Sequence, residues 1–185
     1  MNKLQQFNKD NIIQKAAIWF MLYAVAGWLY ETVLEVMIYQ TGFSNRGFLF
    51  GPYLPVYGVG ALIFIFALQG IKDRKVKIRN IDITILVVFV GVVLISTAIE
   101  LAGSYIAEIF TDKPLWNYDD YAFNFDGRIA LDTSLRFGVG GTIFLYLLQP
   151  MFKKLSEKMS VKTLNITAAT IFVILITDLI LTLTI

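Results

Sequence analysis

The 185-residue chain contains no cysteine and no histidine. The first absence excludes disulfides, thiolate metal sites and cysteine nucleophiles, and the second removes the usual general base and the commonest zinc ligand. No G-x-x-x-x-G-K stretch occurs, so the chain carries no phosphate-binding loop for ATP. Charge is scarce as well, at 16% of residues against 57% apolar, with a mean hydropathy of +0.66. That is too little polar surface for a water-soluble domain of this length.

What is present is a set of long apolar runs. A helix needs roughly 20 apolar residues to cross about 30 Å of hydrocarbon. The sequence predicts five such spans, at about 13 to 39, 54 to 71, 83 to 109, 129 to 150 and 164 to 184, the second being the shortest. The expected fold is therefore all-α, a single integral membrane bundle of about five transmembrane helices over residues 1 to 185. Lys3, Lys9 and Lys15 before an apolar run that meets Ala24-Val25-Ala26 offer a cleaved signal peptide as the competing reading. The run continues past Ala26 to Tyr39, which favours a span.

Lysine and arginine set the expected orientation. Five crossings put twelve of the sixteen on one side: Lys3, Lys9, Lys15, Lys72, Arg74, Lys75, Lys77, Arg79, Lys153, Lys154, Lys158 and Lys162. Only Arg46, Lys113, Arg128 and Arg136 fall on the other. This predicts a cell-membrane protein with a cytoplasmic N-terminus and an external C-terminus, whose basic loops anchor at an anionic leaflet.

Acids inside the spans carry the functional expectation, because an aspartate at mid-bilayer costs roughly 2.5 to 3.5 kcal/mol on the insertion scale. At 1.5 Å per residue, Glu31 and Glu35 lie about 18 and 24 Å beyond Trp19, in the outer half of the first span. Glu100 sits similarly far along the third. Ala24, Gly27, Glu31 and Glu35 share one helical face, as do Ser96, Glu100, Gly103 and Ala107, while Asp132 and Arg136 have the i,i+4 spacing of an ion pair. Small residues beside the charges allow close helix approach, and Gly138 with Thr142 or Gly103 with Ala107 could pair copies of the chain or pack it internally. Glu108 reads as a solvated interfacial acid, and Asp178 as a structural acid snorkelling near the C-terminus. The expectation is an outward-opening pocket with an acidic floor of Glu31, Glu35 and Glu100. Its cationic rim would come from Arg46 and Arg128, near the positive ends of the second and fourth helices.

Two segments interrupt the helices. In NRGFLFGPYLPVYGVGA, residues 45 to 61, glycines and prolines prevent a regular helix while the aromatic residues keep the chain in apolar surroundings. Lipid does not tolerate bare irregular backbone, so a re-entrant or interfacial lid packed on protein is expected, with Pro52 or Pro55 starting the next helix. A tight interfacial turn is the alternative. The loop FTDKPLWNYDDYAFNFDGR, residues 110 to 128, reads as its aromatic partner. Its aspartates match no EF-hand spacing and read as turn acids.

These two motifs, together with Glu100 and the continuation to LDTSLRFGVGG, resemble a bacterial multi-pass membrane family described as ABC-transporter permeases of type IV, which has vertebrate transmembrane relatives. The similarity runs from about Gly27 to Pro150. It implies a transport role beside a separate ATPase subunit, and it singles out Asn45, Arg46, Gly47, Gly51, Pro52, Pro55, Tyr57 and Gly58 in the first motif. In the second it singles out Trp116, Tyr118, Asn124, Gly127, Arg128 and Ser134, with Phe137 where a tryptophan is expected.

The candidate substrate-binding set is thus Glu31, Glu35, Asn45, Arg46, Glu100, Trp116, Asn124, Arg128, Asp132 and Arg136, with no catalytic or metal-ligating residue, no cofactor and no nucleic acid. Three functions stay open. The first is a transport component for a small polar or amphipathic solute. The second is an intramembrane enzyme on a lipid headgroup with Glu31 and Glu35 as acid and base. The third is a non-catalytic partner or sensor. Membrane lipids, a second copy or another membrane subunit, and an ATPase are the expected partners.

Overall fold

The computed structural model describes residues 11–40, 42–45, 47–112, 114 and 116–184. It is an all-α protein. Helix α1 covers Ile12–Val33 and widens into a π-helical stretch at Leu34–Tyr39; α2 covers Pro55–Arg74, α3 Thr84–Thr111, α4 Leu131–Ile143, α5 Gln149–Glu157 and α6 Val161–Thr184. A second π-helical stretch, Phe144–Leu148, follows α4. Two small antiparallel hairpins complete the chain: β1 Lys77–Ile78 with β2 Ile81–Asp82, and β3 Asn124–Phe125 with β4 Ile129–Ala130.

Four of the five predicted spans, α1, α2, α3 and α6, are long and apolar enough to cross a membrane. The predicted fourth span differs. Residues 129 and 130 pair as strand β4, the regular helix starts at Leu131, and the π-helical stretch interrupts it after Ile143. Most large apolar side chains on these helices, such as Met37, Phe66, Leu94, Val173 and Leu183, are exposed. That is the pattern of a chain whose solvent is lipid, where burial of apolar area gives helices no reason to associate and packing and internal hydrogen bonds must hold them.

The chain divides into two compact units, one running to Leu62 and resuming at Gln149, the other Ile63–Leu148. In the first, α1 packs on α5 and α6. Ile18, Leu164 and Ile171 form one apolar cluster, and Ala24, Leu49 and Tyr53 another. Polar rungs run beside them: Trp19 Nε1 donates to Ser156 Oγ at 3.1 Å and the Tyr23 hydroxyl to Gln149 Oε1 at 3.1 Å, all four residues being buried. In the second unit α3 packs on α4. A β-carbon added at Gly138 would meet Val93 Cγ2 at 2.5 Å, so Gly138 serves close packing within the chain.

Candidate functional site

In the first unit the predicted face of α1 is occupied by Ser44, Leu49, Tyr53, Leu54 and Tyr57. Ala24 O accepts from Leu54 N at 2.9 Å. At Gly27 the missing side chain makes room for the ring of Tyr57, whose Cγ would lie 2.2 Å from an added β-carbon. The Tyr57 hydroxyl then donates to Glu31, one turn further on. Glu35, only 4% exposed, accepts from Ser44 Oγ at 3.1 Å. The spacing 24, 27, 31, 35 therefore marks a real contact face.

Residues 47–54 are held from the opposite side by Asp178. Rather than snorkelling, this side chain is 8% exposed and its carboxylate accepts Phe50 N at 3.0 Å, Gly51 N at 2.9 Å and the Tyr53 hydroxyl. Backbone N–H groups freed by a non-helical segment must find acceptors where water is scarce, and an ionised carboxylate is a strong one. Asn45 fixes the entry to the segment: its Oδ1 accepts from Trp28 Nε1 at 2.7 Å and its Nδ2 donates to Phe50 O at 2.8 Å. Pro55 starts α2. The Gly/Pro segment is thus a strap packed on α1 and tied to α6, as its sequence requires in apolar surroundings. Arg46 lies outside the described residues.

In the second unit the C-terminal half of α3 is joined by side-chain rungs to residues 116–134. Thr97 Oγ1 donates to Ser134 Oγ at 2.8 Å, and the Tyr118 hydroxyl donates to Glu100 Oε1 at 2.7 Å. Burial, and then the bond to Glu100, raise the Tyr118 hydroxyl above its ordinary pKa. The second oxygen of Glu100 is buried without a hydrogen-bond partner among the described residues, an unmet acceptor of a kind native proteins rarely leave.

Arg128 is the hub of this loop. Its guanidinium reaches Glu108 Oε2 at 2.5 Å, Asp126 Oδ2 at 3.0 Å and Ser104 Oγ at 3.1 Å, and lies 3.9 Å from the ring centroid of Tyr105. Its carbonyl accepts from Trp116 Nε1 at 2.9 Å. Hydrogen bonds to Glu108 and then Asp126 raise the arginine's pKa, while the bond from Arg128, with help from Tyr105, holds the Asp126 carboxyl below the usual carboxylate range. Glu108, expected to be merely solvated, is thereby an ion-pair partner. Asn124 shapes the turn, accepting from Gly127 N at 3.1 Å and donating to Tyr121 O at 2.9 Å. Gly127 occupies a left-handed conformation, φ 60°, that favours glycine. Asp132 and Arg136 form the predicted i,i+4 pair at 2.6 Å, with both side chains exposed.

Of the expected residues, the first unit brings Glu31, Glu35 and Asn45 to the strap, and the second brings Glu100, Trp116, Asn124 and Arg128 to one loop and helix face. Sequence reasoning did not place Asp178, Tyr53 or Ser44 in this network. A signal for Asp178 existed, since the strap's unpaired N–H groups demand an acceptor and α6 carries a single acid. Among the described residues no cluster of three acidic side chains could hold a metal ion.

Four long apolar helices, each exposed over most of its surface, define a multi-pass membrane protein. The chain belongs to the family described as "Putative ABC-transporter type IV", which it matches over residues 18–183. No curated protein and no solved structure matches it.

Proposed function

We propose that this chain is the membrane-embedded component of a transport system that takes up a small polar or amphipathic solute from the outer face. Glu31 and Glu35 serve as its proton- or cation-binding groups, and the strap at residues 47–54 gives or denies access to them. The observation that carries this reading is a pair of carboxylates one turn apart, Glu31 near the end of α1 and Glu35 in the π-helical stretch after it, bonded by Tyr57 and Ser44 from the two sides of the strap. Ionisable groups within spans and interrupted helices are where membrane transporters place substrate and coupling ions. Glu100, with its unmet oxygen, is the acid proposed to serve the same chemistry in the second unit. The chain lacks a phosphate-binding loop, so any ATP hydrolysis belongs to a separate subunit. The charge bias supports a cell-membrane protein with its N-terminus in the cytoplasm.

The test is uptake by the full chain, with any ATPase that co-purifies, in liposomes given labelled zwitterionic or cationic amphiphiles in neutral and in acidic medium. Uptake should depend on external pH and lose that dependence in Glu31→Gln and in Glu35→Gln. Uptake that is the same in both variants as in the parent would refute the assignment. Conversion of added lipid without uptake would favour the intramembrane enzyme.

A further inference from the structure

Between α2 and α3 the chain forms a β-hairpin with a tight Arg79-Asn80 turn, both residues at positive φ. Register pairs Ile78 with Ile81 and Lys77 with Asp82. Successive side chains point to opposite faces, so one face carries two isoleucines and the other carries charge. Both isoleucines are exposed, at 58% and 66%. The hairpin is firmly seated: Val76 N donates to Thr84 Oγ1 at 2.8 Å, Ile83 N to Val76 O at 2.9 Å, and Thr84 N to Asp82 Oδ1 at 3.0 Å. Residues 72–82 carry five bases and two acids. Lys72 is committed to Leu145 O at 2.6 Å and to the ring of Tyr146, while Arg74, Lys75, Lys77 and Arg79 are exposed.

Immediately beside this hairpin runs an apolar groove of about 340 Å³, lined by Ile85, Leu86 and Phe89 from the first turns of α3 and by Val139, Thr142 and Ile143 from α4. The single polar side-chain atom of that lining, Thr142 Oγ1, already donates to Gly138 O at 2.7 Å, so no lining side chain has a free hydrogen-bond donor for an occupant. Lys72, at the end of α2, reaches Leu145 O and the ring of Tyr146, so the α2–α3 connection lies at the end of the groove where α4 passes into its π-helical stretch.

We propose that the hairpin and the groove together form a binding site for one anionic phospholipid. The phosphate lies against Lys77 and Arg79, an acyl chain fills the groove, and Ile78 with Ile81 rests in the boundary between headgroups and chains. Charge complementarity selects this occupant, since basic pockets at helix ends are where anionic headgroups bind. The groove opens on a membrane-spanning stretch of α3, beyond the reach of a water-soluble partner. A second copy related by a two-fold axis would bring one basic hairpin against another.

The experiment is native mass spectrometry of the full chain released from micelles after equilibration with phosphatidylglycerol or with phosphatidylcholine of the same acyl composition. The parent should retain one phosphatidylglycerol in preference to phosphatidylcholine. Lys77→Gln and Arg79→Gln should each weaken retention about fivefold, the value of roughly 1 kcal/mol per basic residue near an anionic surface. Val139→Trp, which fills the groove, should weaken retention of both lipids. Should Val139→Trp not fold, the exposed charge variants decide. Equal retention of the two lipids by the parent, or parent-like retention by the Lys77→Gln, Arg79→Gln double variant, would overturn the site. So would a lipid-independent disulfide between copies carrying Ile85→Cys, a background-free reporter in a chain without cysteine.

Discussion

Tyr57 lays its ring against the bare backbone of Gly27 and passes its hydroxyl on to Glu31, so one missing side chain on α1 positions the donor for a carboxylate a turn away. The contact joins a packing requirement to a candidate functional group. It also makes the two separable by mutation.

Gly27→Ala should destabilise the protein by about 1 to 3 kcal/mol, the cost of forcing extra volume into a filled contact. Gly60→Ala, whose added β-carbon meets nothing within 4 Å, should be neutral or stabilise by up to about 1 kcal/mol through helix propensity alone. Thermal unfolding of the two variants in the same detergent measures the contrast. Equal effects would mean that the Gly27 contact is not close.

Asp178→Ala removes the acceptor of two backbone N–H groups and of the Tyr53 and Thr182 hydroxyls, and each buried donor left unsatisfied costs about 1 to 3 kcal/mol. Tyr53→Phe removes one donor and leaves the carboxylate its two backbone partners, so it should cost about 1 kcal/mol. Limited proteolysis within residues 47–54 should accelerate in the first variant and change little in the second.

Trp28 and Asn45 should be energetically coupled. A double-mutant cycle with Trp28→Phe and Asn45→Ala is expected to return about 0.5 to 1.5 kcal/mol for the 2.7 Å bond. A coupling of zero, read by unfolding in detergent, would remove Asn45 as an organiser of the strap.

The loop around Arg128 should depend on pH in the acid range. Asp126 has its folded-state pKa lowered by Arg128 and Tyr105, so its contribution is present above the unfolded value near pH ~4 and is lost as pH falls through the lower folded value. Protection of residues 117–130 against hydrogen exchange, taken relative to the intrinsic rate at each pH, should therefore hold from neutral pH down to about pH 4 and fall below it. Asp126→Asn should exchange faster at neutral pH and lose that component of the acid response.

Helices and the face of α1 are legible in the sequence because length, hydropathy and a 3-4-4 spacing are local properties. The Asp132–Arg136 pair is legible for the same reason. The tie between Asp178 and Gly51 is not, because it depends on how α6 is rotated, and a helix that is apolar all round carries no pattern that fixes its rotation. Arg128 illustrates another limit. From the sequence it is a cation near a helix start and suits an anion, whereas its three protein acceptors arise from Ser104, Glu108 and Asp126, whose convergence needs the β3–β4 turn to form. Glu100 and Tyr118 both belong to the pattern that carries the family resemblance, yet only the structure reveals that one carboxylate oxygen is satisfied and the other is not.

Asp178 is synthesised 127 residues after Gly51. At roughly 5 to 20 residues per second, about 6 to 25 seconds of translation separate the two. Throughout that interval the amide hydrogens of Phe50 and Gly51 lack their eventual acceptor. Biogenesis therefore has a built-in order: the interruption between α1 and α2 is sealed only once α6 has emerged, and a ribosome that stops before α6 releases a product whose strap was never closed.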